Sequence, residues 1–217
     1  MEPLCAFDLD HTLVRSALDL AAMRADLRVL ALERRLRLPE AVRGFTVAQT
    51  IAVIATQAPE LEPHCWGIVL DHETRALTSA QCEPGARETL EALAAAGYPL
   101  AVWTNNARPA TEHALERCGL RGFLATVVTR DEAALKPDPA GLTLLRAAHP
   151  ARPVWVVGDS WIDGAAAQAG GAAFIAYGAD PAELRRRDVA ARLIIHDLRT
   201  LPASLAALGA PAPPRRV

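Results

Sequence analysis

Seven side chains suited to chemistry fall in four short stretches of the sequence: Asp8 and Asp10 in "FDLDHT" (7–12), Thr104 and Asn105 in "VWTNN" (102–106), Lys136 in "LKPDP" (135–139), and Asp159 and Asp163 in "GDSWID" (158–163). Side chains two apart on an extended strand point the same way, so Asp8 and Asp10 can converge on one site, although turns also favour aspartates. Thr104 and Asn105 end an apolar run with a hydroxyl and an amide, neutral donors that suit an anion. The following stretch "ARPATEHALERCG" (107–119) is predicted as a helix whose N-terminus adds partial positive charge there, with an ordinary cap and turn as the plainer reading. Lys136 is the only lysine in a chain whose other basic residues are arginines, and it sits in a stiff Pro-flanked turn where a compact point charge is needed, or where a lysine is merely exposed. Asp163 lies one helical turn beyond Asp159 on the same face. Gathered with Asp8, these carboxylates repel unless a cation sits among them, and Mg²⁺ with its oxygen ligands meets that need; a capping Asp favoured by the helix dipole is the alternative.

The elements that must position these groups are legible in the apolar runs. "LCAF" (4–7), "PLAVW" (99–103), "ATVV" (125–128), "PVWVVG" (153–158) and "AAFIAY" (172–177) do not alternate polar with apolar, as strands covered on both faces do not, and helix-like stretches separate them. Strands alternating with helices predict an α/β fold with a parallel, Rossmann-like sheet. A weaker strand is expected at 191–196, followed by a helix over 197–208. All four motifs then fall at the carboxyl ends of strands, the edge where open parallel sheets bind ligands. Between Val14 and Glu83 the periodicity is helical, in "SALDLAAMRADLRVLALERRLRL" and "TVAQTIAVIATQAPELEPHCWGIVL". The expected organisation is a core domain of residues 1–14 and 84–208, a helical insertion over 15–83, and a Pro- and Ala-rich tail over 209–217 without fixed structure. Pro84 and Gly85 mark the return to the sheet, ahead of a helix over 86–97 that stops at Gly97.

Composition narrows the function. The 217 residues are 51% hydrophobic, enough for a sizeable core, and a net charge of -2 gives no basic excess for nucleic acid. Cys5, Cys65, Cys82 and Cys118 form no C-x-x-C pair and read as reduced, structural thiols. Acidic residues at Glu2, Asp8 and Asp10 break any signal-peptide core, and no run approaches a membrane span, so the expectation is a cytoplasmic protein without a membrane partner.

The order DxDxT, a strand ending in Thr-Asn, Lys-Pro, then GDSxxD resembles the haloacid dehalogenase-like hydrolase superfamily from Leu4 to about Tyr177. Within it, the chain is most similar to the phosphoglycolate phosphatase-like branch, and its insertion resembles that branch's small helical cap. His11 departs from the Gly many members carry, and Asn106 and Ala107 stand where members vary. The resemblance implies that Asp8 attacks phosphorus to form an aspartyl-phosphate, and that Asp10 protonates the leaving alcohol and then activates water. It implies that Thr104 and Asn105 bond the phosphoryl oxygens and that Lys136 balances charge. Mg²⁺ is then held by Asp8, the main-chain carbonyl of Asp10 and Asp159, with Asp163 ligating directly or orienting a neighbour.

Asp10 favours phosphoryl transfer over dehalogenation, which has no alcohol to protonate. The expected function is a Mg²⁺-dependent phosphatase of a small phosphorylated metabolite, phosphoglycolate or a sugar phosphate. A sugar-phosphate mutase and a non-catalytic binding module on the same fold are the alternatives. The cap closes over such a site, making Arg15, Arg24, Arg43 and His64 the candidates to read the leaving group; a monomer or a homodimer fits equally.

Overall fold

A computed structural model describes residues 2–39 and 45–210. In chain order the elements are β1 (Leu4–Phe7), β2 (Val14–Arg15), α1 (Leu20–Glu33), α2 (Val47–Gln57), α3 (Glu62–Thr78), β3 (Gln81–Cys82), α4 (Ala86–Ala95), β4 (Leu100–Trp103), α5 (Arg108–Arg117), β5 (Thr126–Val128), α6 (Ala140–Ala148), β6 (Val154–Gly158), α7 (Trp161–Ala169), β7 (Ala173–Tyr177), α8 (Pro181–Arg186), β8 (Leu193–Ile195) and α9 (Leu201–Leu208). Six strands form one parallel sheet in the order β5-β4-β1-β6-β7-β8. This is the expected α/β Rossmann-like architecture. Every residue of β1, β4 and β6 is buried, which is why their sequences read as continuous apolar runs. β1 lies centrally, and the chain winds away from it towards β4 on one side and β6 on the other, so the crevice at its carboxyl end is the topological switch point.

The chain divides into two compact units, Met1–Ser16 with Ala80–Val217, and Ala17–Ser79. In the sheet unit, Leu4, Ala6, Trp103, Val128, Val156 and Phe174 share one core with Leu142 and Leu145 of α6. Trp103 packs so closely on α6 that a Cβ at Gly141 would come within 2.1 Å of its Nε1. The helical unit has its own core, in which Met23, Leu27 and Leu30 of α1 meet Ile51 and Ile54 of α2 and Cys65 and Val69 of α3.

Several details differ from the expectations. The second helical stretch of the insertion is two helices, because Pro59 drives Ala58 out of the helical region (φ -148, ψ 79) and a short turn at Pro59–Leu61 intervenes before α3. β2 and β3, two residues each, pair antiparallel through Val14 with Cys82 and Arg15 with Gln81, and both belong to the sheet unit. Pairs this short leave no periodicity to read. The segment 197–208 is a 3-10 turn at Leu198–Thr200 leading into α9, since Asp197 caps a tight first turn through its side chain. Of the expected tail, only residues 209 and 210 are among those described.

Candidate active site

Asp8 stands one residue past β1, its N–H still donating to the Val157 carbonyl of β6 at 2.8 Å. Beyond it the chain does not stay extended. The Leu9 carbonyl accepts the N–H groups of Thr12, Leu13 and Val14 at 3.3, 2.9 and 3.0 Å, and His11 takes a left-handed φ of 56. That conformation favours glycine and costs a side chain about 1 kcal/mol or more. Within this turn Asp8 and Asp10 have separate partners. Asp8 Oδ1 accepts from Lys136, whereas the two carboxylate oxygens of Asp10 accept from the Ser16 hydroxyl and the Asn106 amide.

Lys136 is the centre of the cluster. Its side chain is only 2% exposed, and Nζ donates to Asp8 Oδ1 at 2.6 Å, Asp163 Oδ1 at 2.5 Å and the Trp103 carbonyl at 2.8 Å. An ammonium has three hydrogens, so all of them are used within the protein. Burial opposes that charge, but Asp163 and Asp8 outweigh it and hold the ammonium above its ordinary range.

Asp159 and Asp163 follow β6. Ser160 donates both its N–H (3.2 Å) and its hydroxyl (2.7 Å) to Asp163 Oδ2, so Asp163 caps α7 while its other oxygen holds Lys136. Gly158 makes room for this: a Cβ there would lie 2.5 Å from the Asp163 carboxyl carbon. Ligand atoms of Asp8, Asp159 and Asp163 all lie within 4.8 Å of one another. Burial pushes Asp8 well above the ordinary carboxylate range; Lys136 opposes the rise, and the charges of Asp163 and Asp159 add to it. Burial, and then the Asp163 charge, push Asp159 up to about 6. Three carboxylates share one ammonium here, a donor set with surplus negative charge that fits a hard divalent cation such as Mg²⁺. The Asp10 carboxylate is not part of this trio and is engaged by Ser16 and Asn106; the ligand expected from this residue is its main-chain carbonyl.

Thr104 and Asn105 stand at the end of β4. Thr104 is buried and its Oγ1 accepts the Asn106 N–H at 3.2 Å. The Asn105 amide is engaged with the main chain of Lys136, donating to its carbonyl at 3.0 Å and accepting its N–H at 2.7 Å, so the side chain fixes the lysine loop. The N-terminus of α5 is likewise engaged: the Arg108 N–H donates to Asp131 at 2.9 Å, which gives the first turn an anion of its own.

Among the residues proposed to read a leaving group, Arg15 of β2 makes a two-point ion pair, at 2.7 and 3.1 Å, with Glu83, the residue just past β3. Tyr177 donates to the same buried carboxylate at 2.6 Å. Arg24 lies in α1 and His64 in α3, where it is exposed; Arg43 is outside the described residues. Sequence reasoning missed Glu83 and the bond from Asn106 to Asp10, since their partners lie far along the chain, and Ser16, which is near Asp10 in sequence but is brought back to it only by the turn at Leu9. The phrase "EPG" signalled a turn and nothing more.

The family model for haloacid dehalogenase-like hydrolases matches residues 5–177, a span running from β1 through β7. The chain belongs to that family. This haloacid dehalogenase-like hydrolase is 34% identical over 180 residues to a phosphoglycolate phosphatase of Photobacterium profundum, covering 76% of this chain and 78% of that protein. It is 31% identical over 195 residues to a phosphoglycolate phosphatase of Cereibacter sphaeroides, covering 81% and 84%. Among solved structures, the hydrolase is similar to a HAD family hydrolase from Deinococcus radiodurans with bound phosphate and sodium, at a TM-score of 0.64 and 26% identity, with 98% of each chain covered. Among the described residues, no helix is long and apolar enough to cross a membrane.

Proposed function

We propose that this hydrolase is a cytoplasmic, Mg²⁺-dependent phosphatase that cleaves a small phosphorylated metabolite, of phosphoglycolate or sugar-phosphate type, through an aspartyl-phosphate on Asp8. The observation that carries the reading is the buried Lys136 ammonium on Asp8 Oδ1, with Asp159 and Asp163 within 4.8 Å. The names of the relatives support phosphoglycolate as the type of substrate.

In this reading, Asp8 attacks phosphorus with the oxygen that Lys136 does not hold, and its bond to Lys136 keeps the carboxylate aimed. The P–O bond to the leaving group breaks as Asp10 supplies a proton to the departing oxygen. Asp10 then takes a proton from water, which attacks phosphorus and releases Asp8. Thr104, whose Oγ1 accepts from Asn106, has its own hydroxyl hydrogen to give a phosphoryl oxygen, and Asn105 contributes through its main chain while its amide holds Lys136. Asp8, Asp159 and the main-chain carbonyl of Asp10 would hold the metal, with Asp163 orienting Lys136. Bound Mg²⁺ supplies the positive charge that lets an anionic carboxylate approach an anionic phosphoryl group.

The test is phosphate release from phosphoglycolate and a panel of sugar phosphates, with Mg²⁺ and with chelator. Metal-dependent release from one of them is expected. Release from none contradicts the reading, and migration of phosphate between sugar hydroxyls without release replaces it with a mutase.

A further inference from the structure

Asp10 is held at both carboxylate oxygens by residues with no expected role in the site: Oδ1 accepts from the Ser16 hydroxyl, and Oδ2 from Nδ2 of Asn106. Asn106 is itself fixed. It is 5% exposed, its N–H donates to Thr104 Oγ1 at 3.2 Å, and its carbonyl accepts the Arg130 N–H at 3.2 Å. A buried amide anchored at both ends of its main chain has little freedom to choose another partner. Thr104 and Asn106 are thus tied together, so the same short turn after β4 that presents Thr104 also sets the direction of Asp10.

We infer that Asn106 is a positioning residue for proton transfer by Asp10, with Ser16 as its counterpart on the other oxygen, an inference that rests on the phosphatase reading. The two partners are chemically unequal. An amide NH₂ only donates, so the oxygen facing Asn106 stays an acceptor; a hydroxyl both donates and accepts, so the oxygen facing Ser16 can carry a hydrogen while Ser16 turns to accept from it. Asn106 therefore assigns the transferred proton to Oδ1. In the first step the Oδ1–H bond breaks as the P–O bond to the leaving group breaks, and the departing oxygen's electron pair takes the proton. In the second step a water proton returns to Oδ1 as the water oxygen bonds phosphorus and the bond from phosphorus to Asp8 opens. Without the amide, the carboxylate can rotate and present either oxygen, and the fraction of molecules poised for transfer falls.

The experiment compares p-nitrophenyl phosphate with phenyl phosphate, two esters of similar shape whose leaving groups differ in their need for a proton. Release of the phenol in a single turnover with Mg²⁺ isolates the first step. Asn106→Ala is expected to slow phenol release from phenyl phosphate by about tenfold or more, while p-nitrophenol release changes less than about threefold. Ser16→Ala should shift the same ratio in the same direction, and Ser16→Thr, which keeps the hydroxyl, should restore it. Equal losses on both esters in Asn106→Ala mean a merely structural role and overturn the inference, as do rates unchanged on both. Wild-type protein that releases neither phenol removes the phosphatase reading and this inference with it. Melting curves confirm that each variant is folded before its rates are compared.

Discussion

The core of the helical insertion and the carboxyl edge of the sheet are both well buried, yet they are made of different material. In the insertion Met23, Leu27, Leu30, Ile51 and Ile54 pack apolar side chains on one another. At the sheet edge the buried groups include Lys136 and Asp163, with Asp8 and Asp159 beside them. Apolar burial stabilises in proportion to the area removed from water, whereas gathering three carboxylates around one ammonium opposes folding and is tolerated because the surrounding bonds over-determine it. The contrast separates side chains that hold the fold from side chains that the fold holds, and it predicts that the two regions respond to substitution in opposite ways.

The largest effect is expected at Asp8. Asp8→Asn should lower phosphate release by about 10⁴-fold or more while the melting temperature holds or rises, because a buried charge in an acidic group is removed. Steady-state assays beside a thermal melt check both halves. Lys136 is where the comparison breaks, since it serves both purposes. Lys136→Met leaves Asp8 and Asp163 without their cation and should cost about 3–5 kcal/mol in urea unfolding, together with activity. Leu27→Ala, at a fully buried position of the insertion, should cost about 2–5 kcal/mol by the same unfolding measurement, through lost transfer free energy and the cavity left behind.

A smaller effect sharpens the contrast through pH. Asp159 is pushed up to about 6 in the folded protein, so the native state binds its proton more tightly than the unfolded chain does. Its contribution is present below the ordinary Asp value and is lost as pH rises through about 6. Between about pH 4 and 6 the metal-free protein should therefore lose up to about 3 kcal/mol from this group, measured by unfolding in chelator, and added Mg²⁺ should reverse the trend. The insertion's apolar core contributes nothing to that dependence.

The division between these regions also explains what could be read in advance. β1, β4 and β6 are legible because strands covered on both faces leave unbroken apolar runs, and Asp8, Thr104 and Asp159 because they follow those runs directly; Lys136 stands out instead as the chain's one lysine, in a Pro-flanked turn. Long-range side-chain pairing leaves no such trace. Arg15 read as a candidate for substrate contact, and nothing local to it announces Glu83, its partner 68 residues away. The strand end before Asn105 is visible in the sequence, and the bonds of its amide to the Lys136 main chain are not. The turn at Leu9, which follows directly on the strand 4–7, has no signal in the sequence either, and it sets which partners Asp10 meets. Cys82 and Cys118 looked isolated, yet Cys82 Sγ donates to the Cys118 carbonyl at 3.7 Å, since β3 returns beside the end of α5.

The central claim is that Asp8 becomes covalently phosphorylated. The measurement that tests it most directly is rapid acid quenching of the enzyme during turnover with Mg²⁺, followed by peptide mass spectrometry. A phosphoryl group on the peptide bearing Asp8, absent from Asp8→Asn, is the predicted result. Turnover at full rate with that peptide unmodified at every quench time, or persisting in Asp8→Asn, would contradict it.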